Sequence, residues 1–166
     1  MERKKLDALV AELSSKDSNA RRHARTELVK AGADAVIPLA ELIHEKDHKL
    51  RWEVVKTLSE INSFAAAGPL IEALKDEKSD VRWIAAEGLV HLGKEILPTL
   101  MHGIIEHYKS NDFRSGVHHV LKSLKHKGLF EDTDDLIHQL EKHIYIGKIP
   151  VYAEKVLEKI TLKKEK

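Results

Sequence analysis

The chain has 166 residues, enough for one compact domain or one short solenoid, and its 28 Lys and Arg residues against 27 Asp and Glu leave a net charge of only +1. This balance excludes a general electrostatic attraction to nucleic acid or membranes. The absence of Cys excludes a disulfide framework, a thiol nucleophile and Cys-based zinc sites. No apolar run approaches the roughly 18 residues of a membrane-spanning helix. The charged N-terminal residues do not form a secretory signal, so we expect a cytoplasmic protein.

The first predicted element is a helix over residues 2–14. Leu6, Leu9, Val10 and Leu13 recur at helical spacing and give this helix one apolar face. We interpret residues 1–16 as a helix that caps the N-terminal end of the fold.

An internal repeat fills most of the chain that follows. An Arg recurs after intervals of 30, 31 and 32 residues, at Arg21, Arg51, Arg82 and Arg114. Seven residues after each Arg lies a Leu, at Leu28, Leu58, Leu89 and Leu121. Each Arg is also preceded by an Asp, at Asp17, Asp47, Asp76 and Asp112. Four units that agree in three columns indicate a repeat protein.

Each unit contains two predicted helices with a break between them. The breaks fall at Gly32, Asn62, Gly93 and Gly128. The first helix of the third unit shows the pattern best, with Asp80 as its N-cap and Gly93 after its end. The predicted units span residues 17–46, 47–75, 76–109 and 110–146, followed by a capping helix over 147–162 and a short tail over 163–166.

The segment from Asp76 to Gly93 reads Asp-x-x-x-x-Val-Arg-x-x-Ala-Ala-x-x-Leu-x-x-x-Gly, which resembles the short HEAT repeat of the phycobilisome-lyase type. Residues 17–32 and 47–61 carry the motif less completely, and residues 112–145 are a degenerate copy. The resemblance implies an all-α fold, a right-handed α-solenoid of about four two-helix HEAT-like repeats with capping helices at both ends.

The same resemblance implies that the Asp and Arg columns are structural and hydrogen-bond at the seams between units. The predicted seam residues are Asp17, Arg21, Asp47, Arg51, Asp76 and Arg82. An Arg at a recurring interior edge needs a carboxylate or carbonyl partner, which agrees with this interpretation. The alternative is that the Arg column binds an anion.

Two features predict a partner-binding surface. Trp52 and Trp83 are the only tryptophans and occupy equivalent positions, 31 residues apart. They either cover grooves between helices or form a ridge that binds a partner, since Trp is enriched in binding hot spots. The second helices place Glu41, Glu72 and His102 in one row, with Glu45, Asp76 and Glu106 in the next. We expect these rows to line the concave side as an acidic groove that accepts a basic peptide or protein segment.

The sequence predicts no catalytic residue, cofactor or metal. His102 and Glu106 lie one helical turn apart and could supply two metal ligands, but two ligands do not complete a site, and a solvated face is the favoured interpretation. HEAT-type iron enzymes such as deoxyhypusine hydroxylase carry repeated His-Glu pairs in their first helices, and these pairs are absent here.

The first helix of the fourth unit is locally basic, with His118, His119, Lys122, Lys125, His126 and Lys127. It is either a phosphate-binding surface or a solvated face neutralised by the acidic segment 131–135. The leading hypothesis is therefore a non-catalytic module that binds a protein or peptide partner. The alternatives are a lyase-related or metal-assisted enzyme that uses the His-rich helices, and nucleic-acid binding through the fourth unit. The oligomeric state is not predicted.

Overall fold

The structure is a computed structural model and describes residues 3–129, 132–142 and 146–164. These residues form helices joined by short turns, with no β-strand among them. The α-helices are α1 (Arg3–Glu12), α2 (Ser18–Ala31), α3 (Val36–Ala40), α4 (His48–Glu60), α5 (Ala67–Ala73), α6 (Ser79–Leu92), α7 (Leu97–His107), α8 (Asn111–His126), α9 (Asp134–Lys142) and α10 (Ile149–Lys164). Short 3-10 segments precede α3, α5, α7 and α10, at Gly32–Ala35, Phe64–Ala66, Lys94–Ile96 and Ile146–Lys148.

The first helices of the units form one layer, in which α2 packs on α4, α4 on α6 and α6 on α8. The second helices lie on the other side, where α5 packs on α7, while α1 covers α2 and α3. The buried apolar residues form one continuous cluster from Leu6 to Val156. Each helix pair therefore buries its apolar face against the next pair, which is the all-α solenoid that the repeat predicts.

The helix ends follow local sequence signals. Gly32, Gly93 and Gly128 follow helix ends and have positive φ values of 62°, 82° and 65°, which glycine adopts more readily than other residues. Asp80 does not cap α6 as predicted, because the helix begins one residue earlier, at Ser79. The cap residue is Lys78, whose backbone N–H donates to Asp76 Oδ1 at 2.8 Å.

The C-terminal part differs from a regular fourth unit followed by a cap. Helix α10 packs along α7, and the shorter α9 packs against α8 and α10. Three apolar residues are buried at about one-turn spacing on α10: Ile149, Ala153 and Val156. They form the apolar face of α10, the helix that packs along α7. Helix α10 also runs to Lys164, beyond the predicted end at residue 162. Met1, Glu2, Phe130, Glu131, residues 143–145 and residues 165–166 lie outside the described ranges.

One glycine sets the spacing between α4 and α6. A Cβ atom built on Gly88 of α6 would lie 2.7 Å from Ser59 Cβ and 2.9 Å from Ser59 Cα on α4. Such distances are shorter than carbon atoms tolerate, so this close approach of the two backbones requires glycine at position 88.

Candidate protein-binding surface

The seam between the second and third units is built around Arg51, whose side chain is only 7% exposed. Its Nε donates to Asp76 Oδ2 at 2.6 Å and its Nη2 to Asp76 Oδ1 at 3.2 Å. Its Nη1 donates to the carbonyl oxygens of Glu45 at 2.7 Å and Lys46 at 3.1 Å. The guanidinium therefore joins α4, the turn before it and the start of the next unit.

The seam between the first and second units uses a different acid. Arg21 Nε donates to Glu53 Oε1 at 2.8 Å, and Arg25 Nη1 donates to Glu53 Oε2 at 2.7 Å. Arg21 also donates to the carbonyl oxygens of Ser15 and Lys16, at 2.8 and 3.1 Å. Glu53 was not among the seam residues predicted from the sequence. Its position was the available sequence signal, because Glu53 is an acid within a largely buried stretch of α4 and such an acid needs a partner.

Asp17 and Asp47 act as helix caps. Asp17 accepts from the backbone N–H of Asn19, and Asp47 from that of Lys49, both at 2.9 Å. At the third seam, Arg82 donates to the Asp76 carbonyl oxygen at 2.7 Å and pairs with Asp112 at 3.1 Å. All three Arg side chains of the predicted seam thus hold carbonyl and carboxylate partners of the protein itself.

The two tryptophans lie on the first-helix layer. The side chain of Trp83 is 57% exposed, whereas Trp52 is half-buried and packs against the core. Both line a shallow cleft of about 490 Å³ between α4 and α6, together with Ser79, Asp80 and Ile84. We call Trp52 and Trp83 the Trp ridge.

A second cleft lies on the other side of Trp83, between α6 and α8, with a volume of about 380 Å³. The small residues Ser115 and Gly116 are among those that line it. The His119 ring contacts Trp83 with centroids 4.6 Å apart, and His119 Nε2 lies 2.7 Å from Glu87 Oε1. Trp83 is therefore held from one side and remains exposed to solvent between two clefts.

The second-helix side has mixed charge. Glu72 contacts Lys75 and lies 3.7 Å from His44 and 3.8 Å from His107. Glu41, His102 and Glu106 are exposed, and His102 Nδ1 lies 2.7 Å from the Pro98 carbonyl oxygen. The acidic groove stays a prediction, and its central acid already has basic neighbours.

Three basic residues of α8 face acidic partners on α9: His118, Lys122 and Lys125. Glu141 Oε1 lies 3.0 Å from His118 Nε2 and 3.3 Å from Lys122 Nζ. The hydrogen bonds from His118 and Lys122 hold the pKa of Glu141 below its ordinary value. Lys125 pairs with Asp134 at 2.5 Å. These contacts offset the local positive charge of the helix.

No group of three or more His, Asp or Glu side chains in the described ranges is arranged to hold a metal ion. Within the same ranges, every helix is too short or too polar to cross a membrane.

Stacked helix pairs that repeat about every 31 residues, with open clefts on the first-helix layer, define this chain as an α-solenoid repeat protein. A family model described as HEAT repeats matches residues 6–90, just over half of the chain. The chain belongs to the HEAT-repeat family.

Among solved structures, the chain is similar to the complex of CpcE and CpcF of phycocyanin lyase from Nostoc sp. PCC7120, with a TM-score of 0.58 and 24% identity over 91% of this chain and 98% of that one. This likeness shows the fold. A designed armadillo repeat protein gives a TM-score of 0.45 and 16% identity, over 89% of this chain and 80% of that one. No curated protein sequence matches the chain.

Proposed function

We propose that the chain is a non-catalytic module that binds a protein partner through the Trp ridge. The observation that carries this proposal is the exposure of Trp83 between two clefts on the first-helix layer. An indole ring in water is a large apolar surface whose burial against a partner is favourable, and tryptophan is the residue most enriched in binding hot spots. The core does not require Trp at this position, because Arg22 and Ser115 occupy it in the first and fourth units.

The arrangement of the seams supports the same function. Arg51 and Glu53 are buried and fix the register between neighbouring units. A rigid stack holds Trp52 and Trp83 in fixed positions before a partner arrives, and such preorganisation reduces the entropy cost of binding.

The second-helix residues Glu41, Glu72, His102 and Glu106 form a further part of the proposal, as a secondary contact surface. Their support is weaker than that of the Trp ridge, because Glu72 already has basic neighbours. Nucleic acid is a less suitable partner in this account, since His118, Lys122 and Lys125 face Glu141 and Asp134.

The test is affinity capture from cells that produce the protein naturally, with tagged wild type, Trp83→Ala and Phe64→Ala proteins compared by quantitative mass spectrometry. Phe64 is the matched control, because it is also an exposed aromatic residue but lies in the 3-10 segment before α5. We expect at least one protein to be retained by wild type and by Phe64→Ala, and lost about tenfold or more by Trp83→Ala. A wild-type protein that retains nothing specific, or identical partner sets for all three proteins, contradicts the proposal.

A further inference from the structure

We propose that the cleft between Trp52 and Trp83 binds an arginine side chain of the partner, with Asp80 as the acceptor of the guanidinium. This inference rests on the proposed function and adds the chemistry that the Trp ridge recognises. Asp80 is not the cap of α6, and it lies in the first turn of that helix beside the two indole rings.

The charge of the cleft favours a cationic ligand. Its lining consists of the two tryptophans, Ser79, Ile84 and Asp80, so its single charged group is a carboxylate. The cleft on the opposite side of Trp83 has the reverse character, because Arg82, His118, His119 and Lys122 line it. A cationic side chain that approaches Trp83 therefore finds a carboxylate in the lining on the Trp52 side and none in the lining on the α8 side.

Asp80 can accept hydrogen bonds beyond those it already has. Its Oδ1 accepts from the Val81 backbone N–H at 2.9 Å, and His48 Nε2 lies 3.0 Å from Oδ1 and 3.1 Å from Oδ2. An ionised carboxylate offers about four lone-pair sites. One backbone N–H and one imidazole N–H leave about half of these sites for another donor, and the Asp80 side chain is half exposed.

The two indole rings of the cleft favour a planar cation. The face of a tryptophan ring attracts cations, and Trp does so more strongly than Tyr or Phe. A guanidinium is planar, stacks on aromatic faces and donates to a carboxylate through a rigid fork, whereas an ammonium is a compact and strongly hydrated charge. A shallow cleft with two indole rings and one carboxylate suits the planar cation better.

The test uses the fluorescence of these same two residues, which are the only tryptophans in the chain. Full-length protein is titrated with a blocked tetra-arginine peptide, and separately with blocked tetra-lysine and tetra-glutamate peptides. The titrations are done near pH 8, where imidazole groups are ordinarily uncharged. We expect a saturable change with tetra-arginine, clearly weaker binding of tetra-lysine, and no saturable change with tetra-glutamate.

Three variants locate the site. Asp80→Asn keeps the size of the side chain and should weaken tetra-arginine binding by about threefold to fivefold. Trp83→Leu keeps an apolar side chain without the aromatic face and should weaken it by about fivefold or more. Asp7→Asn is the control, because Asp7 is an exposed acid on α1 outside both proposed binding surfaces and its loss should change nothing. Unchanged unfolding midpoints show that each variant is folded.

Several results would overturn the inference. These are no saturable change with tetra-arginine, equal binding by wild type and Asp80→Asn, and equal binding of tetra-lysine, which would remove the assignment of a guanidinium. Weakening by Asp7→Asn as strong as that by Asp80→Asn would mean that the basic peptide binds surface acids without a defined site. If these results occur while Trp83→Ala still loses its partner in the affinity capture, the proposed function stands and only the arginine assignment fails.

Discussion

Arg51 and Asp76 form a two-point ion pair across the boundary between the second and third units, with Nε–Oδ2 and Nη2–Oδ1 distances of 2.6 and 3.2 Å. The two side chains are only 7% and 5% exposed. The same guanidinium donates to the Glu45 and Lys46 carbonyl oxygens, so one side chain connects three segments. This arrangement fixes how neighbouring helix pairs stack, and it leads to the first two predictions.

Replacing Asp76 by Ala should destabilise the protein by about 3–5 kcal/mol, because the buried Arg51 charge loses its carboxylate partner. The free energy of unfolding from urea titration measures the effect. Glu77→Ala is the matched control, since Glu77 also contacts Arg51, at 3.3 Å, but is 70% exposed. Its loss should cost no more than about 1 kcal/mol. Equal stability of the two variants would show that the Arg51–Asp76 pair does not hold the seam.

The pair also predicts a pH dependence. Burial alone would raise the pKa of Asp76, but the hydrogen bonds from Arg51 and from the Lys78 backbone N–H outweigh it, so the pKa lies below its ordinary value of 3.8. The folded protein therefore binds this proton less readily than the unfolded chain does. The stabilisation is complete above the unfolded pKa and is lost as the pH falls through the lowered folded value.

We accordingly expect the stability difference between wild type and Asp76→Asn to shrink as the pH is lowered from about 6 to about 3. Urea unfolding at a series of pH values measures this difference. A difference that stays constant over the whole range would mean that Asp76 titrates normally in the folded protein.

Glu53 should be as important to the first seam as Asp76 is to the second. It is buried and accepts hydrogen bonds from Arg21 and Arg25, so Glu53→Ala removes the carboxylate partner of Arg21 and the nearer of the two carboxylates that contact Arg25. We expect a loss of about 3 kcal/mol or more in the free energy of unfolding. Glu60→Ala is the control, because Glu60 pairs with Arg25 and Lys56 nearer the surface. A loss at Glu53 no larger than at Glu60 would contradict the structural role of Glu53.

Gly88→Ala should destabilise the protein although Ala favours helices more than Gly does. A Cβ atom at position 88 meets Ser59 Cβ and Cα at 2.7 and 2.9 Å, so α6 has to move away from α4. We expect a net loss of about 1–3 kcal/mol, measured by thermal or urea unfolding. In Gly116→Ala the nearest atom is Leu74 Cδ2, the end of a side chain that can rotate, so the loss should be smaller. A stabilised Gly88→Ala protein would show that α4 and α6 are not in close contact.

The stacked helix pairs could be predicted from the sequence, because the Arg and Leu columns recur at nearly constant spacing and an apolar helix face must be buried on a neighbour. The role of each Asp could not be read from its column alone. Asp17 and Asp47 lie four residues before their Arg and cap their own helices. Asp76 lies six residues before Arg82, which places it in the preceding turn, where it reaches Arg51 of the unit before.

Contacts that depend on the distance between units also could not be predicted from the sequence. Glu53 and Gly88 matter because of what lies opposite them on the neighbouring helix, at Arg21 and Ser59. The packing of α10 along α7 depends on how the chain returns after α9, and helical periodicity carries no information about that path. The equivalence of Trp52 and Trp83 was predictable from their spacing, whereas the clefts on both sides of Trp83 depend on the packing of α4, α6 and α8.

We propose that Trp83 lies at the centre of the partner-binding surface. The most direct measurement is acrylamide quenching of Trp83 fluorescence in a Trp52→Phe variant, with and without the partner recovered by affinity capture. In this variant Trp83 is the only tryptophan. We expect efficient quenching of Trp83 in the free protein and strong protection in the complex. Equal quenching in the two states would contradict it, because the partner would then bind elsewhere on the solenoid.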